Sequence, residues 1–360
     1  MHLTAIDVGG VRNLSNVHIE PENGINYFFG DNGAGKTSLL EAISLLSVGR
    51  SFRSGKISTI ITSETQELTV SALVCDSDRE TSQRVGISKS RDSTKVRIDG
   101  QNINRLSALA LAVPSVAIST RNHELVEGGP GERRNFLDWI LFHVEHTFVH
   151  LSKQYKTALS QRNAALRRGA PDDLVLLWNT ELAHAGEAIA MHRQKICSEV
   201  QLRLTSFSEQ LGDASILPEL QYRRGWNAEQ TLTETLEKSL DNCRRLGTTS
   251  AGPHRADIKL KVGGDEARYV HSRGQQKLLA ILMKMVQVDL YTTHHNQAPI
   301  LLFDDMSSEL DGEAREFVLS YLNASSVQVF LTGVDNISES IKGVKKTFHV
   351  KQGRIQNVVQ

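Results

Sequence analysis

Residues 25–43 read Ile25-Asn26-Tyr27-Phe28-Phe29-Gly30-Asp31-Asn32-Gly33-Ala34-Gly35-Lys36-Thr37-Ser38-Leu39-Leu40-Glu41-Ala42-Ile43. Ile25 to Phe29 is a short apolar and aromatic run, the mark of a buried strand. Gly30 to Thr37 fits G-x-x-x-x-G-K-[ST], a phosphate-binding loop. Ser38 onward places Leu39, Leu40, Ile43 and Leu46 on one helical face. The motif requires a strand before it and a helix after it, and both are present. Glycines at 30, 33 and 35 let main-chain N–H groups converge on an anion without Cβ clashes. With Asp31, Asn32 and Ala34 they form the loop expected to hold a nucleoside triphosphate. The helix opening at Lys36 directs its positive dipole end at the phosphates. Lys36 is expected to reach the β- and γ-phosphates, and the Thr37 hydroxyl to ligate Mg²⁺.

The 360 residues carry 41 basic and 41 acidic side chains, so net charge is zero. Composition therefore does not mark a nucleic-acid binder, and any DNA contact must come from a local basic patch. Cys75, Cys197 and Cys243 are far apart and form no ligand pair; buried thiols in a reducing cytosol are the expectation. The apolar run near Leu106 to Ile118 is broken by Pro114 and too short to cross a bilayer.

Outward from the loop, the N-terminus reads as a hairpin turning at Gly9 to Asn13, with Arg12 and Asn13 on the turn. Residues 57 to 103 alternate with period two, and Asp99-Gly100 is a tight-turn signal. An antiparallel sheet beside the nucleotide site is expected, followed by a short strand at Pro114 to Ile118. From Glu132 to Arg245 the spacing is helical, with one long helix from Asp172 toward Leu211. A shorter helix, Ala228 to Leu246, carries a Thr231/Glu234 capping box. No sustained heptad supports a long coiled coil. Ile258, Leu260 and Val262 then restore the β pattern. The expected organisation is an α/β head over 1–130 and 246–360, with a helical arm, 131–245, inserted between its halves.

Pro299-Ile300-Leu301-Leu302-Phe303-Asp304-Asp305 is an apolar run ending in two carboxylates. Such a run suits a central strand of a parallel sheet, and ligands of those sheets bind beyond the carboxyl ends of the strands. Asp304 is the expected Walker B acid, holding Mg²⁺, and Asp305 the group that polarises the attacking water. Ser272-Arg273-Gly274-Gln275-Gln276-Lys277 is expected to follow a strand and open a helix over Leu278 to Val288, and it resembles the Ser-Gly-Gly-Gln signature of ABC-type ATPases. A serine hydroxyl and unpaired N–H groups at a helix start suit a phosphate, although an ordinary serine cap gives the same pattern. Ser308-Glu309-Leu310-Asp311 resembles the D-loop of those ATPases. The strand Val327 to Gly333 carries Thr332 where they usually have histidine, and Asp305 stands where they usually have glutamate. A shorter carboxylate reaches less far toward water, so slow hydrolysis is expected.

Together these blocks resemble the RecF family, bacterial recombinational-repair proteins of the SMC/Rad50-like branch of ABC ATPases. The resemblance extends through Gly49-Arg50-Ser51-Phe52-Arg53, Glu132-Arg133-Arg134-Asn135-Phe136-Leu137-Asp138 and Gly252-Pro253-His254-Arg255. Two places depart from the family pattern, Ser119 to Asn122 and Ala256. The resemblance implies an ABC-type head with a helical arm, and an ATP- and Mg²⁺-dependent homodimer. In it the P-loop of one protomer and Ser272, Gly274, Gln275 and Asp311 of the other enclose ATP, and Arg12 joins the nucleotide site. It further implies clamping of duplex DNA beside single-stranded gaps and partnership with RecO and RecR in loading recombinase. Slow ATP hydrolysis would release the clamp, in a cytoplasmic, nucleoid-associated protein serving replication restart and the SOS response. Transport-ATPase and small-molecule-kinase readings fit less well: the first lacks a reason for the inserted arm, the second for the signature. Basic candidates for DNA phosphates are Arg50, Arg53, Lys56, Arg133, Arg134, Arg167, Arg168, Lys342, Lys345, Lys346, Lys351 and Arg354; most such charges simply face solvent.

Overall fold

The strand Ile25–Phe29 lies at the centre of a six-stranded sheet. The order across that sheet is Arg354–Val358, Val344–Lys351, Ile25–Phe29, Val329–Gly333, Ile300–Phe303 and Ser115–Ile118. Five strands run parallel; only the edge strand Arg354–Val358 is antiparallel. Every residue of Ile300–Phe303 and Val329–Gly333 is buried, which explains why these stretches are continuously apolar rather than alternating. The computed structural model describes residues 1–76, 81–336 and 338–358.

A second, antiparallel sheet has the order Leu14–Ile19, His2–Val11, Glu67–Asp76, Thr81–Ser90, Thr94–Ile98 and Gln101–Ile103. Its last hairpin turns on Asp99 and Gly100, both at positive φ (48° and 79°), as the Asp-Gly signal requires. The helix Lys36–Val48 is shared by both sheets. Its Leu39, Leu40, Ile43 and Leu46 lie in one buried cluster with Phe28, Leu302 and Phe330 from the first sheet and Val8, Val70 and Val85 from the second. Each such side chain contributes about 1.5–3 kcal/mol by leaving water. The helix that presents the phosphate loop is thus fixed from two sides.

Contacts divide the chain into two compact units, Met1–Asn122 with Val288–Gln360, and His123–Gln287. The second unit contains the helices Pro130–Val144, Phe148–Arg167 and Asn179–Leu211. It also holds a three-stranded sheet ordered Asp265–Glu266, Asp257–Val262, Glu219–Arg223. Arg162, fully buried, ties its elements together by donating to Asn179 Oδ1, Thr249 Oγ1 and the Leu236 carbonyl.

Several expectations change here. The strand Glu219–Arg223 interrupts the stretch read as helical; it pairs antiparallel with Asp257–Val262. That pairing draws residues 246–287 into the unit of the helices, whereas the sequence reading returned them to the head at 246. The helix expected from Asp172 is two, Asp172–Leu176 and Asn179–Leu211, because the turn tightens where Trp178 N–H bonds to the Val175 carbonyl. The Thr231/Glu234 capping box forms as expected, but its helix starts at Leu232, and Ser239 separates it from a second, Leu240–Leu246. The signature segment is preceded by a helical turn, Ala267–Val270, and its helix continues to His295. Arg133 is not a surface cation: it is 7% exposed and donates to both oxygens of Asp257, at 2.8 and 3.3 Å.

Candidate nucleotide site

In-register parallel pairing of Ile25–Phe29, Val329–Gly333 and Ile300–Phe303 ends those strands together. Gly30, Asp304 and Gly333 therefore share one edge of the sheet. Gly30 (φ 149°) donates its N–H to the Val334 carbonyl at 3.1 Å, and a Cβ on it would meet the Val350 carbonyl oxygen at 2.1 Å. Gly33 and Gly35 also have positive φ, and the space a Gly33 Cβ would enter is open to 4 Å. Among the described residues no side chain caps the N-terminus of Lys36–Val48. Unpartnered N–H groups, left-handed glycines and open space make a cradle fitted to an anion.

The loop is braced by residues far away in sequence. Asn13 Nδ2 donates to the Gly33 carbonyl at 3.1 Å, and Asn13 Oδ1 accepts from Ser38 Oγ at 3.0 Å. Gly353 N–H donates to the Ala34 carbonyl at 2.8 Å, and a Cβ there would lie 2.0 Å from the Asn13 carbonyl oxygen. Arg12, in the left-handed region (φ 57°), turns its guanidinium onto Glu41 at 2.9 and 3.0 Å and onto the Thr59 carbonyl at 2.7 Å. Glu41, 1% exposed, also accepts from Ser51 Oγ at 2.5 Å. Arg12 thus joins the first hairpin to the P-loop helix.

Lys36 is 8% exposed, and its Nζ donates to the Gly30 and Asp31 carbonyls at 2.5 and 3.0 Å. Burial pushes its pKa down, opposed by the charges of Asp305, Asp304 and Asp31. Thr37 Oγ1 lies 2.9 and 3.1 Å from the two Asp304 oxygens. Thr332 Oγ1 donates to Asp304 at 2.9 Å and accepts the Asp305 N–H at 2.8 Å. Burial raises the Asp304 pKa; hydrogen bonds from Thr37 and Thr332 and the charge of Arg53 work the other way. Asp305 sits at φ 52°, ψ 60°, a conformation rare for a non-glycine residue and one that accumulates at functional sites. A hydroxyl and a carboxylate at the mouth of a phosphate cradle suit Mg²⁺, which takes few protein oxygens and completes its shell with phosphate and water. Among the described residues no cluster of three or more His, Cys, Asp or Glu could hold a metal by itself.

The remaining candidates are accounted for locally. Asp311 caps the helix Gly312–Ala324 by accepting the Ala314 N–H at 3.0 Å. Ser272, Gly274 and Gln275 belong to the other compact unit. Ser272 Oγ accepts the Gln275 N–H at 3.3 Å, and Gln275 Oε1 accepts the Ser272 N–H at 3.0 Å. Asn13, Thr332 and Gly353 are the participants that motif spacing did not select. Asn13 and Thr332 carried some signal, the first on a turn and the second at an anomalous position; Gly353 carried none beyond a Gln-Gly turn.

Fold and site together define an ABC-type P-loop ATPase head. The model of the RecF/RecN/SMC N-terminal domain matches residues 2–356. The DNA replication and repair protein RecF of Thioalkalivibrio sulfidiphilus is 38% identical over 358 residues, covering 99% of each chain. The chain belongs to the RecF family. Its structure is similar, at TM-score 0.89 and 26% identity over 99% of this chain and 98% of the other, to the recombination mediator protein RecF-ATP in the RecFOR pathway. At 15% identity an SMC head bound to the C-winged helix domain of ScpA shares the fold, with TM-score 0.59 over 99% of this chain and 98% of the other.

Proposed function

We propose that this chain is an ATP-dependent DNA-binding protein of recombinational repair whose ATPase cycle is a slow switch. The observation that carries the reading is the constellation of Lys36, Thr37 and Asp304 around an uncapped helix start. Gly30, Asp31, Asn32, Gly33, Ala34 and Gly35 would wrap the phosphates, Lys36 would neutralise them, and Thr37 and Asp304 would hold Mg²⁺. Lys36 Nζ now bonds to carbonyls of its own loop, contacts that a phosphate can replace. Asp305 would orient water and take its proton, at a rate limited by its short side chain. Arg12 braces the site through Glu41 rather than reaching into it.

Ser272, Gly274, Gln275 and Asp311 would serve the nucleotide of a second copy, so that ATP closes a homodimer on duplex DNA beside a gap. RecO and RecR would then load recombinase, and hydrolysis would reopen the dimer. Relatives named DNA replication and repair protein, at 35–39% identity over nearly the whole chain, support the DNA assignment.

The test is fluorescence anisotropy on a gapped duplex with and without ATP and Mg²⁺, repeated on Lys36→Met and Ser272→Arg. Salt-sensitive binding that needs ATP and disappears in both variants supports the reading. Binding indifferent to ATP overturns it, and a fast steady-state turnover overturns the slow-switch part.

A further inference from the structure

The helix Asn179–Leu211 ends beside the segment that carries Ser272, and both belong to the compact unit His123–Gln287. Gly212, in the left-handed region (φ 76°), stops the helix, as glycine does without strain. Asp213 then folds the chain back. Its N–H donates to the Ser208 carbonyl at 3.2 Å, and its own carbonyl accepts from Ser208 Oγ at 2.8 Å. Its carboxylate caps the short turn Ala214–Ile216: Oδ1 accepts the Ser215 N–H at 2.9 Å and Ser215 Oγ at 2.6 Å. Ile216, 1% exposed, anchors the turn, while Ser215 is exposed.

The turn reaches the signature segment through one side chain. Gln275 Nε2 donates to Ser215 Oγ at 3.4 Å, and the other end of the same amide, Oε1, accepts the Ser272 N–H at 3.0 Å. Ser215 gives its one hydroxyl proton to Asp213 and offers a lone pair to Gln275, so donors and acceptors match along the path. A continuous run of hydrogen bonds therefore joins Ser208, Asp213, Ser215, Gln275 and Ser272. Among the described residues, Ser215 is the only partner of the Gln275 side chain from outside the segment Ser272 to Lys277.

The residues flanking Ser272 are fixed from below. His271 is 6% exposed, and burial lowers its pKa against a hydrogen bond to the Ile216 backbone and the charge of Asp213. Gln276, 4% exposed, donates from Nε2 to the Arg268 and His271 carbonyls at 3.1 and 3.0 Å. Ser272 thus stands between two residues that are buried, with Gln275 as its exposed link to the end of the long helix. When a phosphate takes the Ser272 N–H from Gln275 Oε1, the bond from Nε2 to Ser215 keeps the amide beside the serine.

We propose that Ser215 is a positioning residue for the signature serine: acting through Gln275, it ties the start of the helix Arg273–His295 to the end of the helix Asn179–Leu211, so that the arm's long helix sets how readily Ser272 engages a phosphate. The proposal rests on the function above in one respect, that Ser272 serves the nucleotide of a second copy. The relay itself needs neither ATP nor that copy.

The experiment compares the full chain with Ser215→Ala, Ser215→Thr, Gln275→Ala and the double alanine variant. Without nucleotide, hydrogen exchange of the peptide spanning residues 270–277, followed by mass spectrometry, is expected to quicken about threefold in Ser215→Ala, with residues 30–40 unchanged. In steady-state ATP hydrolysis Ser215→Ala is expected to lower kcat about threefold at unchanged KM, as for a group whose effect appears only after ATP is bound. Ser215→Thr keeps the hydroxyl and is expected to restore both readouts. The melting temperature should hardly change, because the substituted side chain is exposed. Since Ser215 acts through Gln275, the double variant should lose no more than Gln275→Ala alone. Unchanged exchange at residues 270–277 in Ser215→Ala overturns the proposal. So does a double variant whose loss is the product of the two single losses. Quickened exchange in a protein whose wild type shows no ATP-dependent retention of gapped duplex supports the relay and overturns the function proposed above.

Discussion

Two helices in this chain begin where the sequence resembles phosphate-binding motifs, and they begin differently. The helix Lys36–Val48 has no side chain on its N-terminal N–H groups and is preceded by left-handed glycines. The helix Arg273–His295 starts with Ser272 and Gln275 satisfying each other's N–H groups. The first is an exposed demand for an anion, built in advance. The second is complete without one, so an arriving phosphate must displace Ser272 Oγ from the Gln275 N–H and Gln275 Oε1 from the Ser272 N–H. In the proposed dimer, nucleotide would bind the P-loop first and engage the second copy's serine helix only when the phosphate is already well placed. That order is what a switch needs and what a simple nucleotide-binding protein does not.

The contrast can be broken most severely at the first helix. Lys36→Met removes the cation from the cradle and should weaken binding of a fluorescent ATP analogue by 100-fold or more, measured by equilibrium titration. Ser272→Arg should leave that affinity within about threefold and lower ATP-dependent retention of gapped DNA more than tenfold. If it instead weakens the isolated nucleotide affinity, the two helix starts are not independent. Thr332→Val removes the hydroxyl joining Asp304 to the Asp305 N–H. A buried polar group left unpaired costs about 1–3 kcal/mol, and steady-state turnover should fall roughly tenfold with little change in nucleotide affinity.

Asp304→Asn makes a test of opposite sign. The folded state raises the Asp304 pKa, so it binds the proton more tightly than the unfolded chain does. Stability from this group is therefore present at acid pH and lost as pH rises through the folded value. At neutral pH the ionised carboxylate works against folding. Asparagine should raise the melting temperature without nucleotide by about 2–4 °C, the shift that 1 kcal/mol gives a domain of 150–250 residues. The gain should shrink toward pH 4, while hydrolysis is abolished. Differential scanning fluorimetry across pH checks it. Gln275→Ala, the mildest change, removes half of the reciprocal cap. It should lower stability by about 0.5–1 kcal/mol and, by removing one of the groups proposed to serve the second copy's nucleotide, weaken ATP-dependent DNA binding a few-fold, less than Ser272→Arg does.

The phosphate loop was legible because its chemistry is local. Glycine freedom, a lysine and a hydroxyl within eight positions need no knowledge of the rest of the chain. The strand ending at Asp304 was legible because a strand buried on both faces leaves a continuous apolar run. The strand Glu219–Arg223 was not: five residues with two half-buried side chains, Leu220 and Tyr222, carry too weak an alternation beside strong helical periods. Its partner lies more than 30 residues away, and that pairing decides which unit residues 246–287 join. The breaks at Trp178 and Ser239 occur without proline or glycine, so no punctuation marks them. The bracing of the loop by Asn13 and Gly353 is a matter of distant backbone carbonyls, and backbone carbonyls have no sequence signature.

That bracing by Gly353 has a consequence in time. Residues 30–37 leave the ribosome more than 300 residues before Gly353 does. At about 5–20 residues per second, roughly 15 to 60 seconds pass before the Gly353 N–H can reach the Ala34 carbonyl and the turn can seal against Asn13. During that interval the nascent chain carries the motif without its finished cradle. It therefore cannot hold ATP in the mature geometry until Gly353 has emerged.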